Sequence, residues 1–369
     1  MQPELPPHHR ALILEDRAAG FELKTRPTAT ADAGSAIVRI AAAPIVSYYK
    51  HVLRHYPFPL PFVGGYSGIG RVVAVGPDAV ALAPGQLVYV DCVVRARDDP
   101  DAFFLSGVIE GFSEGSRKLM RDGGWRETFG TFAEYTRVPL ENCIPLNEAR
   151  LCGELGYSVP ELASMIIMLV PYGGLRDVKV EPGDTVAVCP ATGGFSSAGV
   201  QVAVAMGARV IAMARSEGKL AALKEHLRAA APTADIETVV ITGDVQADSD
   251  ALRRFGPLDV VLELTPGTVS GTTHTRSALK ALRRGGRVSL MGSAEGIDAM
   301  EIVTNDIVLR GKQMYGREDI VQFFKMLERG LFPRGSHLDV RTFKLEEWKE
   351  ALDVAAEHAG LGKGAVFVL

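Results

Sequence analysis

The chain has 369 residues, of which 47% are hydrophobic and 23% charged, and a formal net charge of −4. That length and apolar content exclude a disordered chain and predict two domains. The small net charge and the lack of any Lys/Arg run exclude nucleic acid and a membrane surface as partners, which leaves a small-molecule substrate.

The four cysteines, Cys92, Cys143, Cys152 and Cys189, form no C-x-x-C pair and no secreted-type framework, so a reducing, cytoplasmic setting is expected. The first residues carry no apolar run of signal-peptide length, and "MIIMLV" is too short to cross a bilayer. His8 and His9 lie in a Pro-rich start that is expected to be frayed and inert.

From Ala11 to about Val90, short β-branched runs such as "SAIVRI", "GRVVAV" and "QLVYV" alternate with Gly and Pro, the pattern of an antiparallel β-rich domain. Residues 95–130 show mixed charge, aromatics and little period, and are expected to be a long loop, either a functional lid or a packed surface excursion containing a short helix. From Asp184 the rhythm becomes strand, helix, strand, helix, through "DTVAVCP", "RVIAMAR", "TVVIT", "LDVVLELT" and "RVSLMGS". The fold class is therefore α/β: a doubly wound parallel-sheet (Rossmann) domain joined to a β-rich one. The expected boundaries are 1–160 for the β-rich domain, 161–305 for the Rossmann domain, and 306–369 for a segment returning to the first.

After the strand "TVAVCP" the turn reads "ATGGFSSAG". The dinucleotide fingerprint G-x-G-x-x-G falls on Ala191, Gly193 and Ser196, so only the middle glycine stands in register. Gly194 adds backbone freedom beside it, and the strand-turn-helix context is the one the fingerprint requires. Thr192, Gly193, Gly194 and Phe195 are accordingly candidate cofactor contacts, with the pyrophosphate at the helix N-terminus and Phe195 on the nicotinamide side. At the end of the second strand an acidic residue would hold a ribose hydroxyl. Here Ala214 is followed by Arg215 and Ser216, with Lys219 one helical turn on, which favours NADPH. Thr265 and Gly292 end later strands at the carboxyl edge, where such sheets bind ligands.

With "GIGRVVAVG", "PGQLVYVD", "EPGDTVAVCPATGG" and "LRRGGRVSLMG", the whole chain resembles the medium-chain dehydrogenase/reductase superfamily. "GQLVYVDCVVRARDDPDAFFLSG" and "EGSRKLM" are similar to its zinc-less alcohol dehydrogenase-like, quinone oxidoreductase-like branch of fungal type. The resemblance implies a GroES-like catalytic domain, hydride transfer, Tyr315 beside the nicotinamide, and a homodimer built through the edge strand near "DIVLRGKQMYG". It also implies where zinc ligands would stand in metal-dependent members. Val46 occupies the Cys position, Tyr66 and Ser67 the His-Glu pair, and no Cys, His or Asp occurs in "SMIIMLVPYGG". No metal is therefore expected.

Without zinc, the charge that builds on an acceptor oxygen must be met by a proton donor. Tyr66 and Tyr49 are the first candidates, with Tyr48 beside them and His51 as a relay at a position the resemblance supplies. The expected function is an NADPH-dependent reductase of an activated C=C (enone, enal or quinone) or carbonyl in an apolar molecule, possible in secondary metabolism. Two alternatives stay open: a redox-neutral tailoring enzyme, and a non-catalytic NADPH-binding sensor or structural protein.

Overall fold

The computed structural model describes residues 5–369. The chain divides into two compact units. The first comprises the chain up to Ile166 with Leu338–Ala359 and Lys363–Leu369; the second comprises Ile167–His337 with Gly360–Gly362.

In the first unit, the larger sheet runs in the order Cys143–Pro145, Leu87–Val90, Gly68–Val75, Ser35–Ile45, Lys363–Val368, Asp339–Phe343, with Tyr135–Pro139 also paired to Ser35–Ile45. Ser35–Ile45 is almost wholly buried because three other strands pair with it, and its pairing with Gly68–Val75 carries register shifts at Ile37/Val38 and Ile40/Ala42 that bend it. A smaller sheet orders Gly20–Pro27, His8–Asp16 and Phe62–Val63.

Two expectations for this unit need correction. His8 and His9 are not frayed: they open strand His8–Asp16, in register with Pro27 and Arg26, and His9 is buried with Nδ1 3.1 Å from Thr28 Oγ1. Residues 95–130 hold more regular structure than a loop with one short helix. Val93–Arg95 pairs with Phe103–Leu105, Ser113 caps a helix over Glu114–Asp122, and Trp125–Thr128 adds a further turn. Helix Glu114–Asp122 is the short helix of the packed-excursion alternative, and it buries only Ser116 and Met120.

The second unit holds a parallel six-stranded sheet in the order Ile236–Val240, Arg209–Ala214, Thr185–Cys189, Leu258–Glu263, Leu282–Leu290, Val308–Gly311. By chain order this is 3-2-1-4-5-6, the doubly wound arrangement whose strand order reverses between the first and fourth strands. The boundary expected at 306 is displaced to Leu338. Val308–Gly311 is the sixth strand of this sheet, and helix Arg317–Glu328 packs on helix Leu169–Asp177 through Arg176–Asp319 (3.2 Å) and the rings of Tyr172 and Phe323 (5.8 Å). Among the described residues no helix is long and apolar enough to cross a membrane.

Candidate functional site

In the first unit, "GGYSG" links strand Phe62–Val63 to strand Gly68–Val75. Its backbone is tied on both sides: Gly64 N donates to Leu12 O (2.9 Å) and Phe132 N donates to Gly64 O (2.9 Å). Gly65 has φ +89°, and a Cβ there would stand 2.5 Å from Phe132 N, so only glycine fits this crossing. The turn thereby delivers Tyr66 into the unit's interior.

Three tyrosines converge there, with different fates. Tyr49 is enclosed, and its hydroxyl accepts from Gly65 N and donates to Gly107 O, each at 2.9 Å. Both functions of that phenol are used, so it is a brace for the glycine turn, and its expected role as an acceptor-facing donor does not stand. Tyr66 is 8% exposed, and its hydroxyl makes no hydrogen bond among the described residues. Burial, then the neighbouring Tyr48, Cys92 and Tyr49, push its pKa well above the phenol range, so it is held as a neutral donor. Tyr48 precedes helix Tyr49–His55 and is 37% exposed as a residue; burial around its hydroxyl, then Tyr56 and Cys92, raise its pKa too.

His51 lies on that helix with its ring 4.5 Å from His55 and 5.8 Å from Tyr56. Among the described residues no hydrogen bond or ring contact joins it to Tyr66, and its neighbours do not support the expected relay. Behind Tyr66 runs a buried polar chain that the sequence reading missed: Ser67 Oγ lies 3.4 Å from Tyr89 Oη, which donates to Asp91 Oδ1 at 3.3 Å. Its only signal in sequence is an aspartate closing the apolar run "LVYVD".

The donor chemistry does not fit a metal. Val46 is apolar, Tyr66 and Ser67 are hydroxyls, and among the described residues no three of His, Cys, Asp and Glu gather as ligands.

In the second unit, Gly193 is the N-cap of helix Gly194–Ala205, following strand Thr185–Cys189. Ser196, standing at the third fingerprint position, accepts from Gly193 N at 3.0 Å, so the serine stabilises the turn that a glycine would leave uncapped. Gly193 is exposed, Thr192, Gly194 and Phe195 are half-buried, and the only close neighbour of a Cβ at Gly193 would be Ser196 Oγ at 3.1 Å. An open small-residue turn leading into a helix N-terminus fits a dinucleotide pyrophosphate.

At the end of the second strand, Ala214 is buried and Arg215, Ser216 and Lys219 are exposed. Ser216 caps helix Glu217–Ala230 by accepting from Lys219 N at 3.3 Å. The Arg215 guanidinium and the Lys219 ammonium make no ion pair among the described residues, which leaves both cations available to an anion.

Thr265 and Gly292 are brought together: a Cβ at Gly292 would collide with the Thr265 main chain, and Ser293 N donates to Thr265 O at 2.8 Å. Tyr315 is buried beside Gly173. Two further residues that sequence reasoning passed over, Glu263 and His274, are buried around Thr265.

A family model described as zinc-binding dehydrogenase matches residues 194–329, and one described as alcohol dehydrogenase GroES-like domain matches 32–148. Acryloyl-coenzyme A reductase of Metallosphaera sedula is 24% identical over 332 residues, covering 87% of this chain and 89% of the relative. L-threonine 3-dehydrogenase of Ruegeria pomeroyi is 27% identical, covering 82% and 81%. Human mitochondrial enoyl-[acyl-carrier-protein] reductase is 28% identical over 230 residues, covering 60% of this chain and 51% of the enzyme. The alcohol dehydrogenase rspB of E. coli CFT073, solved with NADH, superposes with a TM-score of 0.78 at 18% identity, covering 99% and 100% of the two chains. These relatives come from an archaeon, bacteria and human, so the fungal branch rests on the resemblance alone. Matched by both models and by relatives along most of its length, the chain belongs to the medium-chain dehydrogenase/reductase superfamily.

Proposed function

We propose that this protein is an NADPH-dependent, metal-independent reductase of an activated C=C or carbonyl in an apolar small molecule. The observation that carries the reading is the Tyr66 hydroxyl: buried, kept neutral, and without a hydrogen-bond partner among the described residues, at the position where the resemblance puts a zinc ligand. Relatives that reduce acryloyl-coenzyme A and enoyl-[acyl-carrier-protein] support reduction of a conjugated double bond.

When bound, the nicotinamide supplies the hydride. In reduction of an enone, negative charge would gather on the carbonyl oxygen. Tyr66 Oη, a neutral donor, would hydrogen-bond to that oxygen, and solvent would supply the proton taken up at the α-carbon. Tyr49 takes no part beyond fixing Gly65. The turn Thr192–Ser196 would hold the pyrophosphate, while Arg215, Ser216 and Lys219 would hold the 2′-phosphate through charge-assisted hydrogen bonds. Ala214, standing where an acidic residue would hold the ribose hydroxyl, with Arg215 next to it, supports NADPH over NADH, while Glu217 opens the helix beyond.

The test is NADPH consumption with an enone, a quinone and a ketone panel by wild type and Tyr66→Phe. Acceptor-dependent oxidation that falls in the variant is expected. NADPH binding without oxidation by any acceptor would favour the sensor reading instead.

We also propose a homodimer through the sixth strand. Every residue of Val308–Gly311 is exposed on the edge of its sheet, and Met300 and Val303 of helix Ala299–Thr304 are 67% and 68% exposed. A bare edge with an apolar flank is suited to pairing with a second copy.

A further inference from the structure

We propose that Glu263 tunes the cofactor crevice of the second unit toward the oxidised, cationic nicotinamide, with Thr265 and His274 as the residues that position its carboxylate. The inference rests on the dinucleotide reading above. Glu263 ends the fourth strand and is paired in register with Cys189, which ends the first. The strand order reverses between these two strands, and α/β sheets take their ligands at the carboxyl ends of strands flanking such a point.

Glu263 is fully buried. Its Oε1 accepts from Thr265 N at 2.9 Å and is also in close contact with Thr265 Oγ1, and Thr265 Oγ1 lies 2.7 Å from His274 Nε2. The Thr265 hydroxyl gives its one proton to the carboxylate, so it offers His274 only a lone pair. His274 Nε2 must therefore carry a proton, which fixes the ring's tautomer. The second oxygen, Oε2, has no partner, and no Lys or Arg pairs with Glu263 among the described residues. Cys189 adds no second negative charge, because burial and then Glu263 itself push its thiol pKa well up and keep it neutral.

His274 Nε2 stands 3.8 Å from Glu263 Oε1 and would cancel its charge only as a doubly protonated ring; with the Nε2–H tautomer the field is aligned by two neighbours and cancelled by neither, in an interior where it is weakly screened. The nicotinamide ring is neutral when reduced and carries one positive charge when oxidised. Loss of a hydride, a proton with two electrons, to the acceptor of the proposed reaction creates that charge. A fixed carboxylate stabilises the product form of the ring and so makes the bound reduced cofactor a stronger hydride donor.

The experiment measures dissociation constants of NADP+ and NADPH by calorimetry for the full-length wild type, Glu263→Gln and Thr265→Ser. Glu263→Gln should weaken NADP+ relative to NADPH on the order of tenfold, whereas Thr265→Ser, which keeps the hydroxyl, should retain the wild-type ratio. Equal weakening of both forms in Glu263→Gln would mean a structural role and overturns the inference while leaving the cofactor reading intact. Failure of the wild type to bind either form overturns both. Should Glu263→Gln not fold, nitrogen NMR of the wild type at pH 8 decides: the neutral Nε2–H tautomer of His274 is expected, and a doubly protonated ring, which would cancel the carboxylate, contradicts the inference.

Discussion

At Tyr49 the phenol is bonded on both sides, and at Tyr66 on neither, so the same deletion should have opposite consequences at the two positions. Tyr49→Phe strands the buried Gly65 N–H and Gly107 C=O, and should cost about 1–3 kcal/mol in denaturant unfolding. Tyr66→Phe removes no hydrogen bond and should change stability by less than about 0.5 kcal/mol. His9 adds a pH signature. Burial, then Arg26, lowers its pKa from 6.5 to about 4, so the folded state resists a proton that the unfolded state takes up. Its effect on stability is absent above the unfolded value and grows as pH falls from 6.5 toward 4, reaching about 3 kcal/mol. Urea titrations across that window should show the loss, and His9→Gln should flatten it.

The strand-to-helix turn at Thr192–Ser196 was legible in the sequence because pattern and context agree: a β-branched strand, small residues, then an apolar helix. What sequence could not show is that Ser196 caps Gly193, since a hydroxyl's partner depends on the turn's geometry. The "GGYSG" turn was legible as glycine-rich, and the tyrosine in it as a candidate. The separation of Tyr66 from Tyr49 was not, because it depends on Gly107, which lies 58 residues from Tyr49 in the chain. The Glu263–Thr265–His274 cluster was hidden for a similar reason: strand end, loop and helix start meet only in the fold. The Arg215 turn yields a prediction about cofactor choice. Arg215→Ala should weaken NADPH binding roughly tenfold, the loss of one charge-assisted contact, and leave NADH nearly unchanged in fluorescence titrations. Equal losses for both would contradict the assignment.

For the molecule as a whole, the alternation of periods along the chain correctly separates a β-rich unit from a doubly wound one. The boundary was misplaced because "DIVLRGKQMYG" carries no sign of which sheet its strand joins; pairing with Leu282–Leu290 decides that. The same strand gives the assembly prediction. Light scattering should show a dimer for the wild type and a monomer for Val308→Lys, which places a charge on the exposed edge, and an unchanged mass would contradict this interface. The central claim, that a phenol has replaced a metal, is tested most directly by single-turnover oxidation of NADPH with a conjugated enone, in the presence of a strong chelator, by wild type and Tyr66→Phe. The account predicts that the chelator has no effect and that the variant slows by about 100-fold or more, the contribution of one positioned donor to a developing oxyanion, with NADPH affinity unchanged. Abolition of the wild-type rate by chelator, or an equal rate in the variant, would contradict it.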